Sequence, residues 1–133
     1  MKEKIERLPD SELAAMQVIW AEQRPIGSGK IVQILEQERG WTRSTVQVLL
    51  KRLEEKGFLG CKKEGRLKMY TPLVEKEQYV SRETKSFLEH FYDNSYQGLI
   101  ASLVKNETIS QDDIEDIVSI ITENSHKLKG WCV

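Results

Sequence analysis

Residues 41–72 read WTRSTVQVLLKRLEEKGFLGCKKEGRLKMYTP, which is a capped helix, a glycine stop and a basic hairpin in one run. Thr42 is placed to cap the helix, its hydroxyl accepting a bond from an otherwise unpaired amide of the first turn. Trp41 before it and Val46 inside it are spaced as a hydrophobic staple. Val46, Leu49, Leu50 and Leu53 recur at helical spacing and define one buried stripe. Arg43, Ser44, Gln47, Val48 and Lys51 are left on the opposite, open face. Gly57 suits the left-handed position that ends a helix.

The segment after Gly57 decides what that open face is for. Residues 58–63 and 67–71 can pair across Glu64-Gly65-Arg66, a short polar turn with a glycine. Lys62, Lys63, Arg66 and Lys68 then crowd the hairpin tip. The whole stretch holds eight Lys or Arg against three Glu. An amphipathic helix alone is as readily an ordinary surface helix. Followed by a basic hairpin, its small, polar, Arg-bearing face fits a base-reading element flanked by phosphate contacts. Arg43 can address guanine O6 and N7, and Gln47 can address adenine N6 and N7.

Upstream, Pro9-Asp10-Ser11 opens a first helix, with Asp10 expected as its cap and Glu12 favourable near the positive helix end. Leu13, Met16, Ile19 and Trp20 mark its buried face. Arg24-Pro25 breaks it, because a proline disfavours helical geometry in the preceding residue. Ile26 is placed to add a short strand. Gly27-Ser28-Gly29 then starts a second helix over residues 30–38, with Ile31, Ile34 and Leu35 inward. The same glycines lack the Walker lysine and spacing of a phosphate-binding loop, and no long preceding strand or βαβ unit accompanies them, so a helix-initiating turn is the reading. Two helices, a tight turn, a third helix and a hairpin give the order of a winged helix-turn-helix.

After Pro72 the chain becomes acidic and helical. Residues 75–92 carry Tyr79, Val80, Phe87, Leu88, Phe91 and Tyr92, and Asp93-Asn94-Ser95 makes a turn. Residues 96–105 form a second helix with Leu99, Ile100, Leu103 and Val104 inward. Ser110 and Asp113 make a capping-box pattern, with Ile109 and Ile114 set as a staple. Ile114, Ile117, Val118 and Ile121 follow down one face, and the tail HKLKGWCV carries Trp131 and Cys132. Three short helices have too little interior to bury this load alone. Folding back onto the winged helix is one resolution; the expectation is that they pack on a second copy of the chain, through Phe87, Phe91, Leu99, Leu103, Ile114, Ile117, Val118 and Ile121. The fold class is therefore mostly α with a small antiparallel β wing. Residues 1–73 form the winged-helix DNA-binding domain, and 74–133 a helical dimerisation domain.

The net charge of −1 hides an asymmetry. Residues 1–74 hold 14 basic and 10 acidic side chains, whereas 75–133 hold 6 and 11. A basic contact surface on one half and a different task for the other is the implication. No run approaches the roughly eighteen apolar residues of a spanning helix, and the first ten residues lack a signal peptide's apolar core. Two distant cysteines, Cys61 and Cys132, make no disulfide framework, so a cytoplasmic location is expected. Cys61 is expected in the hairpin as a small hydrophobe. Neither they nor His90 and His126 have metal-ligand spacing. No cofactor and no enzymatic nucleophile–base grouping is indicated. A winged-helix module that binds protein instead of DNA, or a ligand- or metal-responsive repressor of similar fold, stand as the alternatives.

The residues resemble the BlaI/MecI penicillinase-repressor family of bacterial winged-helix regulators. The resemblance rests on EL-AA-M-VIW in residues 12–20, W-STV-LL-RL-EKGFL in residues 41–59, the wing ending in Tyr70 and Pro72, and TISQDDIE in residues 108–115. It implies a homodimeric repressor on a palindromic double-stranded DNA operator. Its base-reading positions fall on Arg43, Ser44, Thr45 and Gln47, with Val48 beside them. With the cap and the basic residues around them, the DNA-contacting set becomes Thr42, Arg43, Ser44, Thr45, Gln47, Val48, Lys51 and Arg52 on the helix. Lys62, Lys63, Arg66 and Lys68 complete it on the wing. The family's copper-responsive branch ends in a CxC…CxC cluster, of which this chain has only Cys132. Its β-lactam branch is cut at an Asn–Phe bond, and the equivalent position here is Ser102-Leu103, where a sensor-linked protease would act.

Overall fold

The computed structural model of the protein describes residues 7–124, and the readings made for His126, Trp131 and Cys132 lie outside them. The order is α1 (Asp10–Ala21), β1 (Ile26–Gly27), α2 (Ser28–Arg39), α3 (Arg43–Glu55), β2 (Leu59–Glu64) and β3 (Leu67–Pro72). Then come α4 (Lys76–Tyr92), α5 (Tyr96–Lys105) and α6 (Gln111–Glu123). The fold is that of a winged helix-turn-helix followed by helices. Two compact units form, one reaching Thr84 and the other starting at Lys85.

That division falls within α4, whereas the sequence suggests 73/74. Tyr79 is the reason. It is only 4% exposed, its hydroxyl accepts a bond from the Leu8 amide at 2.9 Å, and its ring lies 5.8 Å from both Trp20 and Phe58. The indole N–H of Trp20 in turn donates to the Val74 carbonyl at 2.9 Å. The first turn of α4 therefore belongs to the core of the first unit. Burial pushes the Tyr79 phenol up, so at neutral pH it stays an un-ionised partner for that amide.

The rest of this core comes from the three helices and the sheet. Met16 and Ile19 of α1, Ile31 and Leu35 of α2, and Val46, Leu50 and Leu53 of α3 meet around Phe58. Helix α1 is buried more fully than one stripe implies, since Ala14, Ala15 and Val18 are also inside while Leu13 and Trp20 are only partly covered. On α2, Val32 is buried and Ile34 partly so. Pro9, not Asp10, stands at the cap of α1 and makes no side-chain bond; Asp10 is the first helical residue. Glu12 lies in the first turn of α1, as expected, yet does not face solvent. It is 2% exposed and accepts a bond from Lys56 Nζ at 2.5 Å.

The sheet has the order β1-β3-β2 and is antiparallel throughout. Ile26 pairs with Tyr70, so the short strand expected at Ile26 is present. In the wing, Glu64 pairs with Leu67, which makes the turn one residue tighter than the sequence suggests. Gly65 takes φ +66° there, a conformation that costs a residue without a side chain little. Cys61 is exposed, not tucked away as a small hydrophobe, because β2 leaves the core after Leu59 and Gly60 and its outer part is open.

In the second unit the expected capping box of α6 is present, and Ser95, read from the sequence only as part of a turn, caps α5. Ser95 accepts from Gly98 N–H at 3.0 Å. Ser110 Oγ accepts from the Asp113 amide at 3.1 Å, and Asp113 accepts from the Ser110 amide at 2.9 Å. Asp93 and Asn94 take positive φ between α4 and α5, which these residue types tolerate better than most. Phe87 lies 5.2 Å from Phe91 and 5.7 Å from Tyr92, ring to ring. Yet neither α5 nor α6 has a buried residue. The bond from the Ser110 amide holds the Asp113 carboxyl below the usual carboxylate range. A depressed folded-state pKa gives stability that is present above the unfolded value and lost as pH falls through the folded one. The gap in thermal stability between the protein and its Asp113→Ala variant should therefore be constant near neutrality and close as pH drops below the carboxylate range. A gap that persisted in acid would remove the ionised cap from the account.

Candidate nucleic-acid interface

Helix α3 is fixed at both ends. Thr42 Oγ1 accepts from the Thr45 amide at 3.2 Å, and the Arg39 guanidinium lies 5.6 Å from the Trp41 ring. At the other end Gly57 takes φ +82°, and the Phe58 amide returns to the Leu53 carbonyl at 2.9 Å. That closure turns Phe58 inward and sends the chain into the wing. With Val46, Leu49, Leu50 and Leu53 buried, the remaining face of α3 is displayed on a rigid body.

One open groove of about 710 Å³ runs along that face to the wing. Its α3 wall carries Arg43, Gln47 and Lys51, then Glu54 and Glu55; its wing wall carries Arg66, Lys68 and Tyr70; Ser28 closes it at the start of α2. The structure thus gathers five of the sequence-derived DNA-contacting residues: Arg43, Gln47, Lys51, Arg66 and Lys68. Ser44, Thr45, Val48 and Arg52 are exposed on the same helix but do not line the groove. On the wing, Lys63 pairs with Lys68 and Cys61 with Tyr70, which sets these four on one face. Lys62 pairs with Met69 on the other face, so the four cations do not form a single cluster.

Sequence reasoning passes over Ser28, Glu54, Glu55 and Tyr70 as groove residues. The two glutamates enter it only through the charge balance. No local pattern announces that a groove will reach them. Burial, with the Cys61 thiol and the Glu54 carboxylate nearby, pushes the Tyr70 phenol up to about 12. At neutral pH it is an un-ionised hydroxyl, which adds no negative charge to the groove.

The second unit presents a different surface. Phe87, Phe91, Ile114, Val118 and Ile121 are exposed, with Phe91 at 69%, and Leu99, Leu103 and Ile117 are half-buried. A trough of about 800 Å³ between α5 and α6 is lined almost wholly by apolar side chains, among them Ile100, Ile114 and Val118. Ser102 is half-buried in α5, and its carbonyl accepts from the Asn106 amide. Among the described residues no helix is long and apolar enough to cross a membrane, and no group of His, Cys, Asp and Glu is placed to hold a metal.

A helix offering Arg and Gln beside a basic wing, on a winged helix-turn-helix frame, defines the class: a winged-helix regulator with a surface shaped for a polyanion. Comparison with known proteins narrows it. The pattern of the penicillinase repressor family matches residues 8–123, and the chain belongs to that family, one of transcriptional repressors and not of enzymes. It is 31% identical over 126 residues to the penicillinase repressor of Bacillus licheniformis, covering 95% of this chain and 98% of that one. It is 28% identical to the methicillin resistance regulatory protein MecI of Mammaliicoccus sciuri, over 92% of this chain and 99% of that one. Among solved structures it is similar to the DNA-binding domain of the repressor BlaI, with TM-score 0.53 and 36% identity over 59% of this chain and 94% of that one. It is also similar to monomeric B. licheniformis BlaI in complex with the blaP half-operator, with TM-score 0.50 and 37% identity, over 57% and 92%.

Proposed function

We propose that the protein is a DNA-binding transcriptional repressor that acts in the cytoplasm as a homodimer on a palindromic operator, in the manner of the penicillinase repressors. The observation that carries the reading is the single groove uniting Arg43 and Gln47 of α3 with Arg66 and Lys68 of the wing. Arg43 and Gln47 read base edges, and the wing cations hold phosphates without regard to sequence. The half-operator complex of the similar BlaI structure supports DNA as the partner.

Homodimerisation is supported by the exposed apolar faces of α5 and α6, which have no buried residue of their own. Release by a sensor-linked protease at Ser102-Leu103 would separate the reader from its dimer helices. The gain from joining two weak half-site interactions disappears with that link.

The test is to select bound duplexes from a random pool with the full chain and then measure affinity against salt. An enriched palindrome and a steep linear fall of log K with log salt are expected. Replacing Lys63 and Arg66 together by alanine should lower the slope by about one for each phosphate left without its cation. An unchanged slope would remove the wing from the interface. Failure to enrich any duplex would favour a winged-helix module that binds protein.

A further inference from the structure

Val48 is the only exposed apolar side chain of α3, at 48%. Ser44, Val48, Lys51 and Glu55 follow one another at helical spacing, opposite the buried Val46, Leu50 and Leu53. Val48 therefore stands midway along the outermost line of the helix, one residue past Gln47. A β-branched residue there is a poorer helix former than alanine, lysine or arginine, and about half of its surface stays open in the free protein. Its methyl groups are directed at whatever α3 enters. Thymine is the base whose major-groove edge carries a methyl group, and small apolar side chains are what recognise it.

Resting on the DNA-binding reading above, the geometry points to Val48 as a specificity-determining residue that packs against the C5-methyl of a thymine in each half-site. Gln47 and Arg43 read hydrogen-bonding edges, and Val48 adds the one feature of a base pair that hydrogen bonding does not sense.

The test uses the full chain and the operator recovered by selection. Each thymine is replaced in turn, symmetrically in both half-sites, by deoxyuridine, which removes the methyl and leaves the pairing and the O4 acceptor intact. One position is expected to lose affinity by about fourfold per half-site, the size of one buried methyl. In the Val48→Ala variant, which should keep its helix because the site is exposed and alanine favours helix, that loss should shrink to within about 1.5-fold of no effect, as coupled partners do in a double-mutant cycle. A flat thymine scan, or an equal loss in Val48→Ala, would overturn the assignment while leaving the DNA-binding reading intact. No enriched operator would bring down both.

Discussion

Replacing Lys56 with alanine is expected to destabilise the winged-helix unit by roughly 3 kcal/mol, because it strands a charge inside the protein. Glu12 is 2% exposed, and Lys56 Nζ reaches its carboxylate from the end of α3. The Lys56 side chain keeps 22% exposure, so water can partly replace it, and the lower end of the range for a broken buried pair applies. The double variant Glu12→Gln with Lys56→Met should recover part of the loss, since apolar or neutral replacement of both partners removes the desolvation cost as well. Urea unfolding of the parent, the two single variants and the double variant gives the coupling directly. If Lys56→Ala falls within about 0.5 kcal/mol of the parent, as ordinary surface changes do, the pair is not a structural anchor. The pair joins α1 to the carboxyl end of α3, so loosening it should also blur the angle at which the reading helix is held.

The second large effect concerns the length of chain. A chain ending at Thr84 keeps Tyr79 in its core and should remain folded. It should bind a half-site as the full chain does, yet lose about 10²–10⁴ in affinity for a full palindrome, the gain that linking two sites provides. Sedimentation should show a monomer. A chain ending at Leu73 is different: it lacks Tyr79 and should lose stability by about 3 kcal/mol or more, as large aromatic deletions do. A Thr84-terminated protein that stayed dimeric would place the dimer contacts elsewhere than residues 85–124.

What the sequence makes legible is local. The Thr42 cap, the buried stripe of α3, the Gly57 stop, the hairpin and the Ser110–Asp113 box all depend on residues a few positions apart, where spacing alone fixes the geometry. The groove residues Arg43, Gln47, Arg66 and Lys68 are legible for the same reason. The ion pair of Glu12 is not legible because its partner is 44 positions away. Tyr79 points to the second unit because helical periodicity says which face is apolar, not which core receives it. The alternation on the wing parts Lys62 from Lys63 as in any strand, but their partners across it, Met69 and Lys68, depend on a turn one residue shorter than the glycine suggests.

The bond between the Leu8 amide and the Tyr79 hydroxyl spans 71 positions, and it sets an order of events during synthesis. Domains fold as units, amino-terminal first, while the chain is still being made. Until Tyr79 emerges from the ribosome, Leu8, Trp20 and Phe58 have no lid. Once it has, the reader can close although α5 and α6 have not yet emerged. The oily trough of residues 96–124 is therefore added to a body already folded. By then the core that precedes it has closed, and the trough's apolar side chains cannot compete for that interior.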